Sequence, residues 1–409
     1  MSAINQSGWK PEMGEGGSAA SETFTGNRGL MLEEALIFEI GDTQTTGVDI
    51  AEAPRVASHL GGLERNRPMG IPGLSEPETI RHYTRLSRQN YAIDLGLFPL
   101  GSCTMKHNPR LNEKVARMKG FSDVHPLAPQ ETVQGALAVI NELAEWLIKL
   151  TGMYGVAMSP KAGAHGELCG ILAIKAALTA RGEDRPVILV PESAHGTNPA
   201  TATFAGFRVE NIPATPEGRV DLNALKARLG PDVAGVMVTN PNTCGLFERE
   251  MKAISDAVHA AGGYVYCDGA NFNAIVGRVR PGDLGVDAMH INLHKTFSTP
   301  HGGGGPGSGP VVLSEALAPF GPIPYAARLA DGSFKLVEEE NAGEDHPQTF
   351  GRMTAFHGQM GMYTRALSYI LSHGADGLRQ VAEDAVLNAN YILRSLDDVL
   401  EAPFGGSGP

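Results

Sequence analysis

Lys295 stands in Asn292-Leu-His-Lys-Thr-Phe297, directly after the apolar run Ala288-Met-His-Ile-Asn292. Lysine normally reaches solvent, so one set against a strand is unusual, and burial there favours the neutral amine that Schiff-base chemistry needs. Asp268 closes another apolar run, Tyr264-Val-Tyr-Cys267. Thr239 and Asn240 follow Val233 to Val238, and His195 follows Val187 to Val190 in Ser193-Ala-His-Gly-Thr-Asn-Pro199. Ala162-Gly-Ala-His-Gly-Glu167 runs from a strand into a helix, and its small residues let backbone N–H groups and the helix dipole meet an anion. Each feature alone has a plain explanation: a geometric turn, a capping histidine, a Pro/Asn turn at 239–245. Their order gives them a joint meaning. A pyridoxal-phosphate enzyme needs a phosphate cradle, a flat group over the ring, a partner for the ring hydroxyl, a carboxylate at the pyridine nitrogen and a lysine for the aldehyde. The region of Ala164, then His195, Thr239 or Asn240, Asp268 and Lys295 supply these in turn.

The elements that must hold these residues are readable from the apolar periodicity. Short apolar runs at 156–158, 187–190, 233–238, 264–267 and 288–292 predict strands, and helical patterns near 166–181, 221–229 and 248–262 alternate with them. That alternation predicts a mainly parallel sheet with helices on both faces, whose ligands sit outside the carboxyl ends of the strands. Asp221 and Glu248 are read as helix-start caps. Val133, Leu137, Ile140, Leu143 and Leu147 predict an amphipathic helix over Glu131–Leu150. Leu30–Glu39 suits a short helix or strand, residues 1 to about 30 read as a mobile arm, and 43–78 as irregular chain. Helical patterns return at 360–373 and 377–396 as the start of a smaller second domain.

The chain has 409 residues, enough for two to three domains at the usual size. A net charge of -12 argues against nucleic acid or an anionic membrane as partner. No apolar run is long enough to cross a bilayer, and the first residues lack a basic segment followed by an apolar one, so a soluble cytoplasmic protein is expected. Cys103, Cys169, Cys244 and Cys267 form no C-x-x-C pair, so reduced thiols are expected and no metal site. Its 51 glycines point to many tight loops. Gly302, Gly304 and Gly307 match the G-x-G-x-x-G spacing of dinucleotide sites, but Pro306 lies inside and Pro310-Val-Val-Leu313 reads as strand, which argues against that fingerprint.

SPKAGAHGELCGIL, VPESAHGTNPATA, TNPNTCGLFE, YCDGANFNAIVGRVRPGD and HINLHKTFSTPHGGGGPGSGP resemble the pyridoxal-phosphate-dependent glycine dehydrogenase (decarboxylating) family, the P-protein of the glycine cleavage system, and within it subunit 2. HYTRLSRQNY, FPLGSCTMKHNP and HPLAPQETVQGAL extend the resemblance back to about residue 80. It implies an aspartate-aminotransferase-like α/β fold: an irregular arm at 1–78, a large cofactor domain at 79–318, and at 319–409 a connecting segment with the start of a small α+β domain. Family chains continue past Pro409, so that small domain is expected to be truncated here. By the same resemblance Lys295 forms the Schiff base, Asp268 keeps the pyridine nitrogen protonated and His195 stacks on the ring, these being the catalytic residues. Ala164, His165 and His294 lie at the phosphate, with Thr239 and Asn240 also at the cofactor. The implied reaction decarboxylates glycine and passes the aminomethyl group to the oxidised lipoyl arm of H-protein, releasing CO2. Subunit 1 and lipoylated H-protein are the implied partners, in a hetero-oligomer with two copies of each subunit. Ser102, Thr104 and Lys106 are candidates for the glycine carboxylate from the character of their loop. The alternatives are a fold-related aminotransferase or amino-acid decarboxylase, and a non-catalytic partner subunit.

Overall fold

The computed structural model describes residues 33–45, 50–51, 54, 56–67, 69–90, 92–96, 106–301, 307–340 and 348–404. The expected arm at 1–30, the Gly302–Pro306 run, Ser102 and Thr104 lie outside these residues. The chain divides into two compact units, Met1–Phe98 and Pro99–Pro409.

In the first unit the sequence turns helical at α1 (Ile37–Ile40) and α2 (Glu76–Gln89). Ser75 opens α2 with a capping box, its N–H donating to Glu78 Oε2 at 2.9 Å, and Pro77 sits in the first turn where its missing N–H costs nothing. Buried His82 reaches Glu34 Oε1 at 2.8 Å, and Arg85 Nη2 donates to the same oxygen at 2.8 Å. That anchors a segment whose large apolar side chains, Phe38, Leu63 and Ile71 among them, are mostly exposed.

In the second unit, α3 (Arg110–Ala116) and α4 (Lys119–Ser122) precede α5 (Gln134–Thr151), which buries Leu137, Ile140, Leu143 and Leu147 as the spacing predicts. Gly152, at φ 68, ends it in a conformation that other residues rarely adopt. Strands and helices then alternate: β1 (Gly155–Ala157), α6 (Gly163–Ala180), β2 (Val187–Pro191), α7 (Thr197–Phe204), β3 (Arg208–Ile212), α8 (Leu222–Arg228), β4 (Val233–Thr239), α9 (Met251–Ala260), β5 (Tyr264–Gly269), β6 (Ala288–Ile291), α10 (Leu293–Thr296) and β7 (Val311–Leu313). A hairpin of β8 (Tyr325–Arg328) and β9 (Phe334–Val337) follows, and then the long α11 (Met360–Ser395).

β1 to β7 form a seven-stranded sheet in the order β1-β7-β6-β5-β4-β2-β3. Only the pairings of β7 with β1 and β6 are antiparallel. Alternate side chains divide between two cores, as the two-residue period of a strand requires. Val265, Cys267, Met289 and Ile291 pack with α5, α8, α9 and α11 on one face. Tyr264, Tyr266, Ala288 and Val311 pack with α6 and α7 on the other. The mainly parallel, doubly covered sheet is therefore as expected.

Several elements were not foreseen: α2, α3, α4 and the β8–β9 hairpin, and within the alternating region β3 and α7. β3 is an edge strand with exposed and half-buried positions, and Arg208-Val-Glu-Asn-Ile212 carries too little apolar signal to betray it. α7 is rich in threonine with a proline in its first turn, a composition that reads as loop. Asp221 does cap α8, accepting from Asn223 N at 2.9 Å and Ala224 N at 3.0 Å. Glu248 caps nothing: α9 starts after Glu250, and the Glu248 carboxylate is buried, accepting from Asn242 Nδ2 at 2.9 Å and Val220 N at 3.2 Å. The two C-terminal helical patterns are found as two helical stretches of α11 that meet at Gly374, whose φ of 64 and ψ of -175 are non-helical.

Candidate active site

The exits of the parallel strands collect the chemistry. Thr239 on β4 is in register with Asp268 on β5, and Asp268 with His290 on β6. Residues in register share a face, so all three project toward the α6 side. Each is buried, Asp268 at 3% exposure.

Asp268 is tightly held. Its Oδ1 accepts from Ala270 N at 2.9 Å and lies 3.4 Å from His290 Nε2, and its Oδ2 accepts from Asn198 Nδ2 at 3.1 Å. Burial pushes the carboxyl up, but His290, the Ala270 N–H, Asn198 and the charge of Lys295 outweigh it and hold the group below its ordinary value. Burial also keeps His290 neutral, against the pull of Asp268. Its Nε2 faces two acceptors, Asp268 Oδ1 and Asn292 Oδ1 at 3.0 Å, so that nitrogen carries the proton. Nδ1 must then accept from the Tyr266 hydroxyl at 2.6 Å.

Lys295 sits half-buried on the single turn α10, where the chain leaves β6. Its charge acts on Asp268, Glu167, His290, His294 and His301, which locates it among them. His294 is driven down to about 3, by burial first and then by the charges of His301, Lys295 and Lys106. Asn292 Nδ2 points at its Nε2 at 3.4 Å, so the proton of this neutral ring belongs on Nδ1, which is buried without a partner. Lys106, the described member of the candidate carboxylate group, is half-buried in this cationic neighbourhood.

The first turn of α6 brings Ala164, exposed, and His165, half-buried, whose Nδ1 accepts from Lys161 N at 3.1 Å. α6 approaches the sheet closely because Gly163 and Gly166 lack side chains. A Cβ on Gly163 would lie 2.7 Å from Asn292 Nδ2, and one on Gly166 2.7 Å from His290 Cβ. His195 is exposed before α7, and its Nδ1 accepts from Thr197 N at 3.2 Å. Asn240 Oδ1 accepts from Glu248 N at 3.0 Å, while its Nδ2 and Thr239 Oγ1 are buried without partners.

Glu167, Asn198, His290 and Tyr266 belong to the same network and were not singled out from the sequence. A signal for Glu167 existed: it is the acidic residue in a helix otherwise buried through Gly166, Cys169, Gly170 and Ile171. Asn198 carried no signal, because α7 itself was not foreseen.

The aminotransferase class-V family profile matches residues 169–306. A probable glycine dehydrogenase (decarboxylating) subunit 2 from Caulobacter vibrioides is 66% identical over 400 residues, 97% of this chain and 75% of the relative. The chain belongs to the glycine dehydrogenase (decarboxylating) subunit 2 family. A second member, from Nitrosococcus oceani, is 49% identical over 85% of this chain and 71% of its own. The crystal structure of glycine decarboxylase (P-protein) of the glycine cleavage system, in inhibitor-bound form, aligns at TM-score 0.67 over 83% of this chain and 76% of its own, and at 22% identity it speaks to the fold alone. The enzymes of this subunit 2 family depend on pyridoxal phosphate. The residues present fit that group: unpartnered buried polar atoms on Thr239 and His294, a carboxylate held charged at a strand exit, and a half-buried lysine on the next one. Among the described residues no helix is long and apolar enough to cross a membrane. Cys169, Cys244 and Cys267 are free thiols, Cys244 exposed and the other two buried.

Proposed function

We propose that this chain decarboxylates glycine and delivers the remaining aminomethyl group to the oxidised lipoyl arm of H-protein, working in the cytoplasm with subunit 1 in an assembly of two copies of each. The cofactor domain of this reading is 79–318, with a smaller C-terminal part at 319–409. The observation that carries it is the row Thr239, Asp268 and His290 beside Lys295, with Asp268 held charged in a dry interior. It favours a catalytic chain over a non-catalytic partner, since a docking subunit gains nothing from a buried carboxylate and a lysine kept together.

In this reading Lys295 Nζ carries the cofactor, and Asp268 keeps a proton on the ring nitrogen, which a neighbouring carboxylate favours. Thr239 Oγ1 and Asn240 Nδ2 are the candidates for the ring hydroxyl, His294 Nδ1 and the first turn of α6 at Ala164 and His165 for the phosphate, and His195 for the ring face. Bound pyridoxal phosphate supplies the electron sink for the pair left when the substrate carboxylate departs as CO2. Transfer to the lipoyl arm would break the C–C bond to the carboxylate and the lipoyl S–S bond and form one C–S bond, so both C–H bonds of glycine stay intact and Lys295 Nζ would be needed only to hold the cofactor and to take it back when the product leaves. Glycine offers no side chain to grip, so its carboxylate must be held by charge, and Lys106 with Ser102 and Thr104 is the proposed seat.

Purified chain supplied with cofactor should be yellow and, mixed with subunit 1 and oxidised H-protein, exchange the carboxyl carbon of glycine with bicarbonate. A colourless protein would sink the cofactor roles. A yellow protein inert with glycine but active on another amino acid would favour a related decarboxylase or aminotransferase.

A further inference from the structure

Glu167 lies in α6 at 3% exposure, and its Oε2 accepts from Asn198 Nδ2 at 3.0 Å. The same nitrogen donates to Asp268 Oδ2 at 3.1 Å. One amide therefore bridges two buried carboxyls, and polar atoms of Glu167, Asp268 and His290 all lie within 4.8 Å of one another. The titratable groups facing Glu167, among the described residues, are Asp268 and Tyr266 from β5, His290 from β6 and Lys295 from α10. α7 contributes only the neutral Asn198 and Thr201.

Two carboxylates this close in a dry interior do not both ionise, so one of them keeps a proton. Donor geometry decides which. Each takes a share of the Asn198 amide, Glu167 at 3.0 Å and Asp268 at 3.1 Å, and each has one long contact of 3.4 Å, from the Thr201 hydroxyl and from His290 Nε2; Asp268 alone also accepts a backbone N–H, that of Ala270 at 2.9 Å. We propose that Glu167 and Asp268 are a carboxyl pair holding a single proton on Glu167, which makes Glu167 the positioning residue that leaves Asp268 as the anion of the pair. Burial, and then the charge of Asp268, push Glu167 up to about 7, in keeping with this order. The pair is a property of the protein interior; its meaning for the cofactor rests on the role proposed for Asp268.

Infrared titration of the full chain, stripped of cofactor, should reveal a protonated carboxylic acid band that is lost as the pH rises through about 7. In Glu167→Gln this band should be absent. Because folded Glu167 keeps a proton that the unfolded chain releases, wild-type urea midpoints should fall as pH rises from the ordinary value of 4.5 toward about 7, and those of the variant should not. In Asp268→Asn the like charge is gone, and the midpoint of the band should drop by roughly one pH unit or more. A band that persists in Glu167→Gln, or no band at all in wild type below pH 6, would overturn the pair. Should Glu167→Gln not fold, an unmoved band in Asp268→Asn overturns it equally. A chain that shows the band but binds no cofactor refutes the proposed function and leaves the pair standing, while a yellow chain without the band refutes the pair alone.

Discussion

At Asp268 opposing effects nearly cancel, and the partners win. Burial alone would neutralise the carboxyl; the His290, Ala270 and Asn198 donors and the charge of Lys295 keep it ionised. A carboxylate prepaid in this way needs no reorganisation when a cationic ring nitrogen has to be held. Asp268→Asn preserves the shape and removes the charge, so the chain should retain some cofactor yet lose turnover by roughly 10²-fold or more. Glycine–bicarbonate exchange, with cofactor content measured on the same sample, checks this; unchanged exchange would remove Asp268 from its role. Lys295 and Asp268 were legible because each ends an apolar run where an ionisable residue is out of place. The carboxyl that shares Asp268's amide was not, because pairing across α6 and β5 is set by packing and leaves no trace in linear spacing.

The close seating of α6 on the strand exits is an element-scale property, carried by the small residues at its start. Gly163→Ala would force a Cβ to 2.7 Å from Asn292 Nδ2, the amide that orients His294. The helix or Asn292 must shift, at a cost of about 1–3 kcal/mol for overpacking a buried site. We expect a lower urea midpoint together with weaker cofactor retention; a loss of stability with cofactor retention unchanged would separate the glycine from the site. Strands β2, β4, β5 and β6 were readable since both faces of each are covered, which leaves near-continuous apolar runs. β3 escaped because an edge strand keeps polar residues, and Glu248 misled because an acidic residue ahead of a helical pattern looks the same whether it caps the helix or is buried beneath it.

Across the second unit, α11 ties the sheet to what lies before it. Arg365 Nε and Nη2 donate to the two oxygens of Glu113 on α3 at 2.8 and 3.0 Å, and the Tyr363 hydroxyl donates to Met158 O. The helical path then breaks at Gly374, where a Cβ would meet nothing within 4 Å and the cost of substitution is purely one of backbone conformation. Gly374→Ala should therefore destabilise by about 1–3 kcal/mol, read in urea unfolding, while the infrared band near the sheet stays in place. No destabilisation would mean that the break is not required. The sequence announced both helical stretches by period, and the gap it left between 373 and 377 is where Gly374 breaks the path.

The insertion of β7 between β1 and β6 has a consequence for the order in which the molecule can be made. β1 is spelled out by residue 157, yet its strand neighbour in the sheet arrives only at Val311–Leu313, more than 150 residues later. During synthesis the α6 turn has therefore left the ribosome long before the strand beside it exists, and such distant pairings assemble slowly. The row Thr239, Asp268 and His290 can align on its own strands first. α6 starts against Asn292 and His290 but completes its packing at Gly166 only against Gly309 and Val311, so a nascent chain should form the carboxylate row first and, with the phosphate role proposed for α6, retain cofactor only once the last strand of the sheet emerges.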